Sequence, residues 1–400
     1  MADTTIRRVA DQPVTVEPAI VVGAGAAGLA AAHALIKAGV PTAILEKESR
    51  LAEPWHRRHR QLHLNTHRDL SSLPGVGYPS GTPAFPHRTV VIRHLNEFSQ
   101  THGLPVQFGI AVEKIAFKGD HWAVLTSAGP RLARHVVIAT GRDSQPFIPE
   151  WKGMKAFAGR IIHSADFGDA QDYAGKKVLV VGAGNSGFDA LNHLAGAHLA
   201  GAKPAALWLS ARSGPAVLPK RIGKIAVHRL SPLMARLPLR VADAAIAATQ
   251  RLVFGDLAKF GMPPAPAGGA SRLTSDYTAI AADDGAVSAI KSGRIIVVPT
   301  IREFTRDSVI VANGNLIDPD IVIAATGYRT GLEQMVGKLG VLDGKGVPLF
   351  NGGQADPNLP GLWFTGMRPS IRGCFANAGI LGKAIARRIA GSSRPSGASR

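Results

Sequence analysis

The pattern Gly-x-Gly-x-x-Gly occurs twice in this sequence, each time between a short apolar run and a helical run. The first copy follows the run AIVVG and comprises Gly23, Gly25 and Gly28. A helical run and a second apolar run, PTAILE, come next, and Glu46 ends the unit. In such a unit the glycines let a pyrophosphate approach the helix start, and the acid accepts hydrogen bonds from a ribose diol. The first fifty residues alone therefore predict an α/β fold that binds a dinucleotide.

The second copy differs from the first at the position that recognises the ribose. The run KKVLVV leads into Gly182, Gly184 and Gly187, with Ser186 inside the loop. The next apolar run, AALWLSA, is followed by Arg212 rather than by an acid. A carboxylate would repel a 2′-phosphate, whereas a guanidinium can pair with it through two hydrogen bonds. The second site is therefore predicted to bind NADPH, and the two sites together indicate a bound FAD that NADPH reduces.

Three further apolar runs indicate how the chain passes between the two sites. VVIATG (136–141) and IVIAATGY (321–328) predict the closing strands at the two crossings between domains. GLWFTG (361–366) precedes a last helical run and returns the chain to the first domain. The predicted fold class is α/β, with two Rossmann-like dinucleotide-binding domains of three-layer β/β/α type, the NADPH domain being inserted in the FAD domain. These runs add predicted cofactor contacts: Thr140, Gly141 and Gly366 to FAD, and Thr326, Gly327 and Tyr328 to NADPH.

The predicted domain limits follow from the crossings. Residues 1–150 form the first part of the FAD domain, and 321–390 form its second part. Residues 151–320 form the NADPH domain, which carries a helical insertion at about 214–290. Residues 391–400 are expected to be a disordered tail.

The segment 228–262 mixes Leu, Ala and Met with an Arg every several residues. It predicts helices that are broken near Pro232 and Pro238. Two roles fit this pattern: a helical cover of the NADPH domain that lines a substrate tunnel, or a basic amphipathic surface that contacts a membrane. The first role is favoured on sequence grounds.

Composition excludes several classes of protein. Cys374 is the only cysteine of the 400 residues, so a disulfide framework and a redox-active cysteine pair are both impossible within the chain. This count favours a reducing, cytoplasmic compartment and argues against a disulfide reductase. The net charge is +18, but the basic residues are scattered without interleaved aromatics, and no nucleic-acid partner or metal site is predicted. Residues 19–36 lack charge, but their glycines favour a strand and a helix over a membrane span.

A family resemblance is carried by the stretch FAGRIIHSADF. It matches the pattern FxGxxxHxxx(Y/F) of class B flavoprotein monooxygenases at Phe157, Gly159, His163 and Phe167. Together with the two loops, the GNSG sequence and the two ATG crossings, this makes residues 19–390 similar to the flavin-containing monooxygenases. A patchier similarity links the chain to YUCCA-type indole-3-pyruvate monooxygenases. Where the plant pattern has Pro after LHL, this chain has Asn65, which resembles an active-site Asn of the N- and S-oxygenating branch.

The resemblance implies a reaction and roles for four residues. NADPH would reduce FAD, and O₂ would form a flavin 4a-hydroperoxide that oxygenates a small organic substrate. Asn65 would stabilise that species; the alternative is that it caps the turn before Thr66. Trp55 would cross the flavin pyrophosphate or pack in the core, and His163 would act from the hinge near NADPH. Tyr328 would contact both cofactors or serve as a buried aromatic at a strand end.

Two other functions remain open at this point. A flavin reductase that passes electrons to an external carrier has the same two-domain plan. An FAD-binding scaffold or redox sensor would consume no NADPH with any substrate. The predicted partners are a small-molecule substrate and O₂; peripheral membrane contact is disfavoured, and a dimer is compatible with the sequence.

Overall fold

The computed structural model describes residues 15–196 and 203–392 of the chain. Its largest sheet has seven strands and lies at the centre of the first nucleotide-binding unit. In spatial order these strands are Val106–Gln107, Thr42–Leu45, Val16–Val22, Gly129–Ile138, Trp122–Thr126 and Val112–Phe117, with Leu362–Phe364 also paired to Gly129–Ile138. The chain therefore returns to its first sheet after residue 361, as the sequence predicts.

Both faces of the first sheet are buried, and successive side chains of each strand point to opposite faces. Ala19 and Val21 of Val16–Val22 face the helices, while Ile20 and Val22 pack with Trp122 on the opposite side. The helices Ala26–Lys37 and Cys374–Ser392 are close neighbours on the first face: a Cβ at Gly382 would lie 2.9 Å from the Ala30 carbonyl oxygen. The N- and C-terminal parts of the described chain thus share one core.

The second sheet consists of five parallel strands. Their spatial order is Ile296–Val298, Ala206–Ser210, Lys177–Val181, Ile321–Ala324 and Arg160–His163. On one face lies a small antiparallel sheet, made of Ile301–Phe304, Val309–Val311 and Leu316–Ile317. On the other face lie helices that include Asn185–Leu194 and Ala286–Lys291. This is the predicted three-layer β/β/α arrangement.

The remaining elements are short, apart from two helices. The other α-helices are Glu53–Arg57, Arg88–Thr101, Ser231–Met234, Leu239–Phe254, Gly269–Ser275 and Glu333–Val336. The other paired strands are Gln145–Pro146 with Tyr328–Arg329, Val217–Pro219 with Ala281–Asp283, and Arg221–Ile222 with Ile225–Ala226. Among the described residues, no helix has both the length and the apolarity needed to cross a bilayer.

Two details of the predicted organisation need correction. The insertion predicted to be helical at 214–290 also contains strands, because Val217–Pro219 pairs with Ala281–Asp283 from its far end, a contact that local patterns do not reveal. Residues 391 and 392, predicted to belong to a disordered tail, end the helix Cys374–Ser392, whose Ile389 is buried. The rest of the predicted tail, 393–400, lies outside the described residues.

A buried histidine makes the first unit sensitive to acid. His94 is 1% exposed, its Nε2 accepts a hydrogen bond from the Leu73 amide at 2.9 Å, and burial lowers its pKa to about 4. The unfolded chain, whose histidines titrate near pH 6.5, takes up this proton first, so stability falls as the pH drops from about 6.5 towards 4. Between pH 7.5 and 5 we expect wild type to lose about 2 kcal/mol more unfolding free energy than His94→Gln. Urea titrations at both pH values measure this; equal losses in the two proteins would contradict it.

Candidate active site

The first glycine loop has the geometry that a pyrophosphate requires. Gly23 has a φ of +98°, and a Cβ at Gly28 would lie 1.9 Å from the Gly23 carbonyl oxygen, so the helix and the turn are in direct contact. A Cβ at Gly25 would meet no atom within 4 Å. The helix Ala26–Lys37 starts at this open position without a side-chain cap, which leaves its first amide groups directed at the space beside Gly25.

The predicted FAD-contacting residues lie around this helix start. The Glu46 carboxylate accepts hydrogen bonds from the amides of Ala24 at 2.7 Å and Glu48 at 3.0 Å, so it lies directly beside the loop. A Cβ at Gly366 would lie 2.5 Å from that of Ala27. The residue after the first closing strand, Thr140, has a buried hydroxyl without a hydrogen-bond partner among the described residues.

Gly141 follows Thr140 with a φ of +83°, a value that favours glycine. Its backbone turns the chain away from the end of the strand Gly129–Ile138, which lies next to Val16–Val22 in the sheet. The structure thus brings the predicted first-site residues to one edge of the first sheet.

The second glycine loop repeats the geometry of the first. Gly182 has a φ of +111°, and a Cβ at Gly187 would lie 1.9 Å from the Gly182 carbonyl oxygen. A Cβ at Gly184 would meet no atom within 4 Å. Ser186 lies in the first turn of the helix that starts here, and the neighbouring Asn185 side chain accepts a hydrogen bond from the Ala282 amide at 3.1 Å. Through this hydrogen bond, the GNSG sequence connects the second glycine loop to Ala282 of the insertion.

A cleft of about 560 Å³ opens in front of the second loop. Gly182, Gly184, Arg212 and Thr326 all line it. Arg212 is exposed and forms no ion pair with any described residue, so its guanidinium is available to an anion. The cleft is large enough for a nucleotide-sized ligand.

Sequence reasoning missed a second arginine in this cleft. Arg272 lines it, and its Nη1 donates to the Gly214 carbonyl at 2.9 Å. It lies in the helix Gly269–Ser275, within a Pro- and Gly-rich stretch that predicts a loop. No local signal marks this residue, because it lies 60 positions after Arg212 in the chain.

His163 lies between the second sheet and the second crossing. It is 2% exposed, its Nδ1 accepts from the Ala165 amide at 3.0 Å, and its Nε2 lies 2.9 Å from the Gly327 carbonyl oxygen. Because Nδ1 accepts a hydrogen bond, the proton of the neutral ring is at Nε2. Burial lowers the pKa of His163, so the ring is neutral, and both of its nitrogens are engaged in hydrogen bonds. His163 is thus a structural link to the crossing rather than a free acid or base.

Residues 58–59 connect the first unit to the second. The Arg58 guanidinium donates to the Tyr328 hydroxyl, and its centre lies 5.0 Å from the Tyr328 ring, whose other side meets His163 edge-on at 4.8 Å. His59 Nε2 lies 2.8 Å from Asp189 Oδ2. Burial alone would raise the pKa of Asp189, but the His59 hydrogen bond, together with the electrostatic attraction of His59, His193 and Lys220, outweighs burial, and the pKa is lowered.

His59 and Asp189 also form a group with His193 whose donor atoms all lie within 4.8 Å of one another. The 2.8 Å separation between His59 and Asp189 is a hydrogen-bond distance, and it is shorter than the spacing of two ligands on a tetrahedral metal ion. We therefore interpret the group as a contact between the two units.

Asn65 precedes Thr66, which lies with Gly373 and His228 at the start of the C-terminal helix; these neighbouring residues are termed the recess below. Its side chain is half-buried and makes no hydrogen bond to another described residue, so the alternative in which it caps a turn finds no support. The next residue, Thr66, lies close to Gly373, where a Cβ would lie 2.9 Å from the Thr66 methyl group. The Asn65 amide is therefore free to bind a group placed in this recess.

Two further residues of this recess were not identified from the sequence. His228, from the insertion, accepts a hydrogen bond at Nδ1 from the His67 amide at 3.2 Å, and burial lowers its pKa to about 4. Cys374 starts the C-terminal helix directly after Gly373, and its side chain is solvent-accessible. Trp55 packs 6.2 Å from the ring of Phe375, beside this thiol.

Known proteins share both the sequence and the architecture. The sequence pattern described as pyridine nucleotide-disulphide oxidoreductase matches residues 20–203. An indole-3-pyruvate monooxygenase, YUCCA1 of Oryza sativa subsp. japonica, is 33% identical over 317 residues, which cover 78% of this chain and 77% of the relative. A probable indole-3-pyruvate monooxygenase of Arabidopsis thaliana, YUCCA3, is 29% identical over 92% of this chain and 86% of its own.

A solved flavin-containing monooxygenase from Stenotrophomonas maltophilia has the same fold, with a TM-score of 0.71 and 23% identity over 94% of this chain and 99% of its own. The match to residues 20–203 includes both glycine loops, the first crossing and the Phe157–Phe167 motif. The 33% identity to YUCCA1 of Oryza sativa subsp. japonica, over 78% of this chain, shows common descent. The chain therefore belongs to the flavin-containing monooxygenase family of class B flavoprotein monooxygenases, oxidoreductases that use FAD and NADPH.

Proposed function

We propose that this flavin monooxygenase uses NADPH and O₂ to insert one oxygen atom into a small organic substrate, with 2-oxo acids such as indole-3-pyruvate as the leading class. One oxygen atom enters the substrate, the other leaves as water, and NADPH supplies two electrons. A 2-oxo acid also loses its carboxyl group as CO₂, so its reaction is an oxidative decarboxylation. The observation that carries the proposal is the pair of equivalent loops with opposite recognition residues, Glu46 beside the first and Arg212 beside the second. The substrate class is supported by the name of the 33% identical relative.

Amines and thioethers form the second substrate class. The observation that favours them is Asn65, whose amide is unpartnered in the recess where the YUCCA pattern has proline.

The residues present fit both cofactors. The open spaces at Gly25 and Gly184 accept phosphate groups, and two helix starts without side-chain caps face them. Glu46 would hold the FAD ribose; Arg212, with Arg272, would hold the 2′-phosphate of NADPH. When bound, FAD supplies the chemistry that takes hydride from NADPH and activates O₂.

The protein's own part is to bind, orient and keep water out. Asn65 would donate its amide N–H to the oxygen-bearing group, since the side chain has no other partner. The start of the helix at Cys374 directs its amides towards the same recess and favours negative charge there. His163 holds the second crossing at Gly327 and thereby fixes where the nicotinamide nucleotide meets the first unit.

The test is a product balance rather than oxygen uptake alone. We expect NADPH consumed, O₂ consumed and product formed in a ratio near one to one to one with the correct substrate, with little hydrogen peroxide. Indole-3-pyruvate, an amine and a thioether are compared by chromatography of their products. Asn65→Ala is expected to keep NADPH consumption but to release most of the oxygen as peroxide, because the recess loses an amide donor that has no other partner among the described residues.

A flavin reductase would give a different set of results. A reductase would pass electrons rapidly to ferricyanide or a quinone and would oxygenate none of the three substrates. Fast dye reduction without any oxygenated product would overturn the proposal.

A further inference from the structure

The insertion carries an unusual number of exposed apolar side chains. Of the fifteen large hydrophobic residues that are exposed in the described part of the chain, eight lie between residues 222 and 253. They are Ile222, Ile225, Leu230, Leu233, Leu239, Val241, Leu252 and Val253. Single exposed apolar residues are ordinary on a protein surface, but a concentration of this kind marks an interaction surface.

On the helix Leu239–Phe254, two of these residues, Val241 and Leu252, lie in an exposed apolar stripe. The inward face of the helix is Ala242, Ile246 and Phe254, which are all buried. Its outward face includes Val241, Ala244, Ala248 and Leu252, spaced by three, four and four residues, and all four are exposed. This spacing places them on one side of the helix. Leu252, at 87% exposure, is more accessible than any other large hydrophobic residue described.

The charge of the same segment is almost entirely positive. Residues 221–253 contain six Lys or Arg residues and a single acid, Asp243. That carboxylate is turned inward, where it accepts hydrogen bonds from the amides of Ala270 at 2.7 Å and Ser271 at 3.0 Å. Arg240 and Arg251 are exposed on the helix beside the apolar stripe.

We propose that the surface formed by residues 221–253, here termed the insertion surface, binds the headgroup region of a bilayer that contains anionic lipids. Exposed leucines, isoleucines and valines would enter the acyl boundary while the six cations remain among the lipid phosphates, as in interfacial amphipathic helices. The attachment is peripheral, because no helix of the described residues could cross a bilayer.

The positive charge of the insertion surface favours an anionic bilayer over a second copy of the chain as its binding partner. A two-fold symmetric dimer would place the insertion surface against itself, so its six cations would face the same six cations; the acids Asp69 and Asp256 offset only Arg229, at 3.6 Å, and Arg251, at 3.5 Å. An anionic bilayer offers the opposite sign and an apolar layer below it. The insertion surface therefore fits lipid better than it fits its own copy.

Vesicle sedimentation with the full-length, FAD-loaded protein tests this proposal. We expect binding to vesicles that contain phosphatidylglycerol, weak binding to pure phosphatidylcholine, and loss of binding in high salt. Leu252→Glu should weaken binding at least five-fold, while Leu316→Glu, at a leucine of 65% exposure on the small antiparallel sheet, should leave it unchanged. The flavin absorbance and the melting temperature of each variant confirm that it is folded.

A second pair of variants separates local charge from net charge. Arg240→Gln/Arg251→Gln should weaken binding about 20-fold, because each cation near an anionic bilayer contributes about five-fold. Arg387→Gln/Arg388→Gln removes the same charge from two exposed positions of the C-terminal helix and should have little effect. The proposal is overturned if both double variants bind alike, if wild type binds neither vesicle at low salt, or if Leu252→Glu dissociates a dimer instead.

Discussion

Replacing Gly187 by alanine is expected to abolish NADPH binding while FAD remains bound. The added Cβ would lie 1.9 Å from the Gly182 carbonyl oxygen, which is backbone and cannot rotate away. Either the turn or the helix Asn185–Leu194 must then shift, and overpacking of this kind costs about 1–3 kcal/mol or more. A shift displaces the amides that face the phosphates, so we expect NADPH affinity to fall roughly 100-fold.

Anaerobic reduction of the bound flavin, followed at a series of NADPH concentrations, measures this effect. FAD content is read from the flavin absorbance of the same samples. Gly344→Ala is the matched control, since a Cβ there meets no atom within 4 Å and the backbone φ is not positive. Gly28→Ala, with the equivalent 1.9 Å contact in the first loop, should instead yield protein depleted of FAD. Normal reduction of Gly187→Ala would show that the second loop is not the NADPH site.

The two sheets could be predicted from the sequence because the pattern of strand, glycine loop and helix that specifies each of them lies within a short stretch of the chain. Each glycine loop lies between an apolar strand and a helix that are adjacent in the chain, and Glu46 and Arg212 end the strands that follow. The pairing of Leu362–Phe364 with Gly129–Ile138 could also be anticipated, since a last strand and helix had to cover the first sheet. Connections of this kind follow from handedness and burial alone.

The site was predictable only where it lies on those local units. Arg272 and His228 reach it from the insertion, whose strands pair across more than 60 residues, so neither has a signature in its neighbours. Cys374 was visible as a lone cysteine, but its place at the start of the C-terminal helix, next to the contact of Gly373 with Thr66, follows from packing. His163 was found through its motif, while its lack of a free nitrogen emerged only from its hydrogen bonds.

Replacing Arg212 by glutamine is expected to erase the preference for NADPH over NADH. Its exposed guanidinium lines the second cleft without an ion pair to any described residue, so its charge is available to the 2′-phosphate. A charge-assisted pair of this type contributes about 1.5–3 kcal/mol, which corresponds to roughly 10- to 100-fold in KM for NADPH. NADH lacks that phosphate, so its KM and the kcat with either nucleotide should change little.

The split between KM and kcat, measured with both nucleotides, identifies the contact. Arg272→Gln should act in the same direction but more weakly, because Arg272 already donates to Gly214. Arg221→Gln is the control: that residue is exposed and lies over the Phe85 ring at 5.2 Å, outside the cleft, so its loss should leave nucleotide preference intact. If the preference for NADPH is retained in Arg212→Gln but lost in Arg272→Gln, the 2′-phosphate is bound by the insertion. If the preference is retained in both variants, the 2′-phosphate is not bound in this cleft.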